Sequence, residues 1–258
     1  MAIDFENPEP EEEEVPSQTW RFWDLVLIGL AAGVIFVLGL LALRFIPGVW
    51  ESMVSGTGGN TILLSALMAA LEGIALIGGV WLAGLKRRRL SWSAVGVRQM
   101  SLTWWAIAGG IGLAIIPLSA LIVAILQLII GGEFKNPQIP FLAPEGFSWS
   151  GLISMLILVG LVAPFAEELV FRGVFYKWLR DRWGVWVGVF ISALVFGAAH
   201  VVPSVAAVAF VLGLILAYSY ERSGSLWAPV LIHVINNAVK VLALYALLGS
   251  GLIPPGGI

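Results

Sequence analysis

Two adjacent carboxylates, Glu167 and Glu168, sit near the end of a long apolar stretch, and Arg172 follows four residues after the second. The chain's two histidines, His200 and His233, lie in later apolar stretches. Ionisable groups in such surroundings are costly unless paired, and their usual reason for being there is function. On a helix Glu168 and Arg172 share a face and can form an ion pair. Glu167 is turned about 100° away, which leaves it free to handle protons as a general base. A plain salt bridge at a helix end would use the same three residues. His200 closes the run Phe196-Gly197-Ala198-Ala199-His200 and, taken alone, reads as a packing histidine. His233 and Asn237 are four apart and can present an imidazole and a carboxamide to one point, although an inter-helix hydrogen bond would also explain them. Two acids, an arginine and two histidines in apolar surroundings point to a proteolytic or a transport site.

The elements that carry these groups must cross a membrane. Of 258 residues, 59% are hydrophobic and 12% charged, with mean hydropathy +0.96. Soluble domains carry about 25% charged residues. The expectation is an all-α, polytopic membrane helical bundle of about seven to eight transmembrane helices, integral and multi-pass, with no nucleic-acid partner. Apolar stretches run near 22–45, 62–85, 104–130, 149–176, 185–202, 205–220 and 226–248. The third could break at Pro117, and a short segment near 138–143 could add an eighth. Seven of the sixteen acids fall between Asp4 and Glu14. Residues 1–20 therefore read as a disordered acidic N-terminal tail, and 21–250 as the transmembrane domain, with its motif-bearing core at about 150–240. With no cysteine in the chain, disulfides and thiolate chemistry drop out.

Arg21, the basic run at 86–89, Arg98, Lys177, Arg180, Arg182 and Arg222 fall on one side of a seven-span arrangement, against Arg44 and Lys135 on the other. This asymmetry puts the N-terminus in the cytoplasm, with the first span acting as an uncleaved insertion signal. Tryptophans near span ends, Trp20, Trp23, Trp149 and Trp183 among them, read as interfacial anchors. The pairs Gly29/Gly33 and Ala108/Gly112 suit close helix packing. If Gly184 is the turn of a helical hairpin, Glu167 and His200 lie about equally far from it and reach similar depth, in the cytoplasmic half of the membrane. Glu72, in mid-span, fits a structural or cavity role. Lys240 would snorkel or pair with Glu72.

The ordered set Glu167/Glu168/Arg172, Phe196/His200 and His233/Asn237 resembles the three motifs of the CAAX-protease and bacteriocin-processing (CPBP, or Abi) family of intramembrane endopeptidases. The resemblance covers roughly residues 150–240. It implies that Glu167 activates water with help from His200, and that His233 and Asn237 stabilise the oxyanion. Glu168 and Arg172 would orient the site, and Phe196 would pack beside it. It implies either no cofactor or a zinc ion held by Glu167, His200 and His233. The substrate would be a peptide or a prenylated or otherwise lipidated protein, met among membrane lipids in a prokaryotic plasma membrane. Two readings from other classes stand beside it. One is a non-catalytic scaffold or immunity protein. The other is a proton-coupled transporter using Glu72, Glu167, Glu168 and the histidines as a relay, against which no matched pair of broken helices appears in the two halves.

Overall fold

A computed structural model describes residues 20–55, 61–131 and 138–252. The N-terminal tail expected at 1–20 therefore lies almost wholly outside the described residues. Hydrocarbon offers the backbone no hydrogen-bonding partner, so apolar spans satisfy their own N–H and C=O groups as helices. Among the described residues there are helices and no strands.

The helices are α1 (Phe22–Ala42), α2 (Val49–Ser55), α3 (Ile62–Gly79), α4 (Leu102–Ile130), α5 (Ile139–Leu142), α6 (Trp149–Ile157), α7 (Ala163–Glu168), α8 (Lys177–Ala198), α9 (Pro203–Ser223) and α10 (Trp227–Gly249). Three π-helical segments interrupt them: Val80–Lys86 extends α3, Leu158–Val162 joins α6 to α7, and Leu169–Tyr176 joins α7 to α8. Six helical runs are long and apolar enough to cross a membrane, which makes the chain a helical membrane protein. One of them, Trp149–Ala198, is 50 residues long, twice what a bilayer needs. It does not run straight, because Gly184 adopts φ 82° and ψ 174° inside α8.

The fold-back at Gly184 shows in what meets across it. A Cβ on Gly188 would lie 3.2 Å from the Cα of Arg180, and the rings of Phe171 and Phe196 meet at 5.0 Å. The first pair is centred on Gly184 and the second within one residue of it. The hairpin expected there is present, and its two arms account for the apolar stretches at 149–176 and 185–202.

Several local expectations change. The segment near 138–143 holds only the single-turn α5, too short to span. Helix α4 continues through Pro117 without a break, as membrane-spanning helices tolerate. Trp20 is no interfacial anchor. It is fully buried, and its Nε1 donates to Gly173 O at 3.0 Å. Gly29 and Gly33 meet nothing, whereas Gly79 is where α3 comes against α1, near Ile28 and Ala32. Gly112 does serve close packing, against Ile235 of α10. The basic run also does more than set topology, since Arg87 and Arg88 both pair with the buried carboxylate of Asp24 in α1.

Three buried clusters hold the bundle together. The first gathers Trp20, Leu85, Val95, Leu169 and Tyr176 around the start of the hairpin. The second joins Met155 to Val241 and Tyr245, and the third joins α4, α9 and α10 through Ile115, Leu216 and Ile232. The site residues lie between these clusters.

Candidate active site

The site begins with an interruption in the backbone ladder. At the end of the π-helical turn, the N–H of Ala163 donates to Leu158 O rather than to Val159 O. The next residue, Pro164, has no N–H to offer. Val159 O is thus left without its regular helical donors, a costly state inside a bundle. The Asn237 side chain satisfies it, with Nδ2 donating at 3.2 Å. Asn236 Nδ2 in turn donates to Asn237 Oδ1 at 2.9 Å. These two bonds assign the amide orientation and leave one Nδ2 hydrogen of Asn237 uncommitted.

His200 is anchored by a similar device. The N–H of His200 bonds Gly197 O at 3.0 Å, so Phe196 O loses the i+4 donor a continued α-helix would supply. His200 Nδ1 lies 2.9 Å from that carbonyl. A carbonyl only accepts, so Nδ1 carries the hydrogen and Nε2 of the neutral ring presents a lone pair. Val201 follows at φ 57°, a left-handed conformation that β-branched residues rarely take, and it turns the chain away after the last turn of α8.

Glu168 and Arg172 are both fully buried, with Arg172 Nη1 donating to Glu168 Oε1 at 2.9 Å across one helical turn. Arg172 Nη2 donates to Gly213 O of α9 at 3.1 Å. The guanidinium also lies 4.5 Å above the ring of Phe196, a cation–π contact. Gly213 permits this approach, because a Cβ there would sit 3.0 Å from Ala193 Cα and 3.3 Å from Phe196 Cδ1. Glu168 Oε1 is also 2.9 Å from His233 Nδ1. A carboxylate engaged by arginine accepts, so His233 Nδ1 carries a hydrogen and Nε2 of neutral His233 is a lone pair, like that of His200.

Glu167 is held differently. Its side chain is 18% exposed, and its nearer approach to His233 Nε2 is 3.9 Å, too long for a hydrogen bond. Its Oε2 has no hydrogen-bond partner among the described residues. Phe196 packs between the groups, its ring centroid 5.0 Å from His200 and 5.7 Å from His233. Glu72, which is accessible, lies on α3, a helix in contact with α7.

The fold thus brings Glu167, Glu168, Arg172, Phe196, His200, His233 and Asn237 to one place, from four helical segments. Among the described residues no three His, Asp or Glu side chains are arranged to close on one metal ion. As placed, Glu167, His200 and His233 do not form a zinc shell. Sequence reasoning missed Val159 O, Phe196 O and Gly213 O, the three backbone acceptors that fix Asn237, His200 and Arg172. It also missed Asn236 as the group that orients Asn237. Pro164, three residues before Glu167, was the available signal, since a proline inside a helix must free a carbonyl.

A family model falls on this same segment. Residues 149–239 match the family model described as type II CAAX prenyl endopeptidase Rce1-like. A 24.3 kDa protein of Escherichia coli is 32% identical over 121 residues, covering 44% of this chain and 56% of its own. YdiL of Bacillus subtilis, named as a candidate membrane peptidase, is 26% identical over 88 residues, 34% of this chain and 36% of that one. YpbD of Bacillus subtilis is 35% identical over 95 residues, 34% of this chain and 44% of that one. The match spans about half or less of the length of these relatives. No solved structure matches the chain. The segment 149–239, which holds the three motifs in order, is thus similar to the Rce1-like endopeptidases of the CPBP family.

Proposed function

We propose that the chain is an intramembrane endopeptidase that hydrolyses a peptide bond with water activated by Glu167. One observation carries the reading: two adjacent carboxylates are held in opposite ways. Glu168, fully buried, is locked through Oε1 between Arg172 and His233, with its Oε2 left unpartnered, while Glu167 is 18% exposed, its Oε2 unpartnered and 3.9 Å from His233 Nε2. A fixed acid orients, and a free acid moves protons.

In this reading Glu167, assisted by the Nε2 lone pair of His200, takes a proton from water as the oxygen attacks the scissile carbonyl carbon. The uncommitted Nδ2 hydrogen of Asn237 faces the developing oxyanion, where a preorganised donor contributes most. His233 Nε2 becomes a donor only once a proton arrives there. The proton gained by Glu167 lies across a 3.9 Å gap from it, so forming hydroxide also supplies the proton that lets His233 stabilise the oxyanion. That proton then passes to the departing amine nitrogen as the C–N bond breaks. Glu168 and Arg172 keep the His233 ring in place throughout.

The substrate in this reading is a peptide or a lipid-modified protein. A groove of about 380 Å³ runs between α1, α3 and the hairpin, and its walls are almost wholly apolar, with Ile28, Leu76, Val170 and Phe171 among them. Phe171 packs edge-on against Phe196 at 5.0 Å, so an aliphatic chain in the groove would lie one ring away from the site. The relatives in Escherichia coli and Bacillus subtilis, with the basic residues at one end of the bundle, support a bacterial plasma membrane and a cytoplasmic N-terminus.

The test is cleavage of a fluorogenic peptide panel, including prenylated peptides, by detergent-purified protein and by Glu167→Ala. Wild-type cleavage that Glu167→Ala lacks supports the reading. No cleavage of any peptide by the wild type would move the scaffold reading forward, and proton-driven flux in sealed vesicles would favour the transporter.

A further inference from the structure

The reaction at Glu167 uses none of the charged groups at the basic end of the bundle, and a cavity separate from the apolar groove opens there. It measures about 230 Å³, far more than one water needs. Three stretches of chain wall it: the residues after the single-turn helix Trp92–Val95, the start of α8 and the end of α9. Arg98, Lys177 and Arg180 line it, against the carboxylates of Asp181 and Glu221.

The charges in this cavity do not cancel. Glu221 is taken by Arg180, whose Nη2 donates to Oε1 at 2.9 Å, and by the Tyr176 hydroxyl, which donates to Oε2 at 2.8 Å. Asp181 lies 3.7 Å from Arg180 Nη1, beyond hydrogen-bond distance. Neither Arg98 nor Lys177 comes within ion-pair distance of a carboxylate among the described residues. Each is instead held by a backbone carbonyl of one turn. Lys177 Nζ donates to Ala94 O at 2.8 Å and Arg98 Nε to Ser93 O at 3.3 Å, which leaves most donors of both groups unspent. That turn is itself fixed to the connection between α9 and α10, where Leu226 N donates to Gly96 O and Ser225 Oγ to Arg98 O, both at 2.7 Å. Two cations are thus set beside one cavity by backbone bonds. A cleft lined with excess charge of one sign concentrates counter-ions.

The cavity also lies at the depth of lipid headgroups. Trp183 and Trp186 follow Lys177 and Arg180 around the hairpin turn, Trp92 begins the opposite wall, and all three are exposed. Exposed tryptophans near span ends mark the membrane–water interface, and basic pockets between spanning helices at that level suit anionic headgroups. We infer that the cavity is a binding site for the phosphodiester of an anionic glycerophospholipid, with Arg98 and Lys177 donating to the phosphate oxygens. Asp181 accepts from a headgroup hydroxyl, which favours a phosphoglycerol head over a bare phosphate. A choline head brings neither net charge to offset the two cations nor a hydroxyl for Asp181. The bound lipid bridges the Trp92–Val95 turn, the hairpin and α9, and its binding does not depend on the reaction assigned to Glu167.

The test is lipid binding by the full chain in mixed detergent micelles, in about 0.15 M salt, where exposed charges are screened within about 8 Å. Energy transfer from tryptophan to a dansyl group on an acyl tail reads the affinity for phosphatidylglycerol and for phosphatidylcholine. The wild type is expected to hold phosphatidylglycerol about tenfold tighter, the scale of one charge-assisted contact. Arg98→Gln and Lys177→Gln should each remove most of that preference. Arg222→Gln makes the same charge change on an exposed residue beside Glu221 that does not line the cavity, and should shift the affinity by less than about twofold. Equal affinity of the wild type for the two lipids overturns the inference. So does a preference that survives both Arg98→Gln and Lys177→Gln, or one that Arg222→Gln lowers as far as they do. Arg98 is exposed and gives up only its bond to Ser93 O, so Arg98→Gln carries the test if Lys177→Gln does not fold. Inorganic phosphate added at constant ionic strength separates the two sources of phosphate. It should leave phosphatidylglycerol bound, and displacement would assign the cavity to free phosphate and overturn the lipid assignment.

Discussion

If Glu168 is a strut and Glu167 the reactive acid, stability and activity should separate between two nearly isosteric changes. Glu168→Gln keeps the side chain's shape and an oxygen for His233 Nδ1–H. It removes the charge opposite Arg172, which is 0% exposed and left with uncharged partners: the Gln oxygen, Gly213 O and the Phe171 and Phe196 faces. Breaking a buried pair by neutralising one partner costs about 3–5 kcal/mol, and the surviving contacts put this case near 3 kcal/mol. For a chain of this size about 1 kcal/mol moves the melting temperature by roughly 2–4 °C. An apparent Tm lower by roughly 6–12 °C is therefore expected. Glu167→Gln breaks no hydrogen bond that the site makes, since Oε2 has no partner, and its Tm should stay within about 2 °C while peptide cleavage is abolished. The assay is intrinsic tryptophan fluorescence during heating in detergent, at matched scan rates, beside cleavage on the same preparations. Equal destabilisation by both changes would refute the division of roles. So would Glu168→Gln melting with the wild type.

Asn237→Ala should lower kcat by about 10²–10³ with little change in KM, the usual loss of one oxyanion donor, as read in steady-state kinetics on a fluorogenic peptide. Pro164→Ala restores a backbone N–H that can compete for Val159 O; crosslinking or kinetics should show Asn237 loosened, with kcat down by about tenfold and Tm not lowered. Gly213→Ala places a methyl 3.0 Å from Ala193 Cα and 3.3 Å from Phe196 Cδ1; overpacking of about 1–3 kcal/mol should lower both Tm and kcat. Cleavage should persist after dialysis against a strong chelator. Loss of activity that zinc restores would instead draw Glu167, His200 and His233 together as ligands.

What the sequence disclosed depended on how local the signal was. Glu168 and Arg172 were readable as a pair because helical geometry alone puts i and i+4 on one face. Gly184 was readable as a turn because a glycine amid basic residues separates two apolar runs, and the fold-back there follows from φ 82°. The anchoring carbonyls were not readable. Whether Val159 O or Phe196 O is free depends on backbone register, which side-chain patterning does not report. Gly213 O needed the third dimension, since α9 meets Arg172 only after the hairpin closes. Trp20 and the pair Gly29/Gly33 misled for a related reason: boundary position suggested an anchor, and four-residue spacing suggested a packing face, yet burial and contact depend on which neighbour arrives.

The three anchors also bear on why the helices around the site are irregular. In lipid each backbone carbonyl is normally consumed by its own helix, so a side chain that needs a fixed acceptor has few to choose from. A π-helical turn before Pro164 frees Val159 O, and the tightened end of α8 frees Phe196 O. A glycine in α9 bares Gly213 O to a second donor. Each irregularity gives one polar side chain a backbone point to hold, and backbone points move less than rotamers do. The buried Glu168–Arg172 pair contributes little net stability by comparison with an apolar core of the same volume. Its value lies in carrying that rigidity from Gly213 through Arg172 and Glu168 to His233 Nδ1. The fixed ring leaves Nε2 facing Glu167 across 3.9 Å, and of the two adjacent acids it is the one outside this chain of bonds that remains free to exchange a proton.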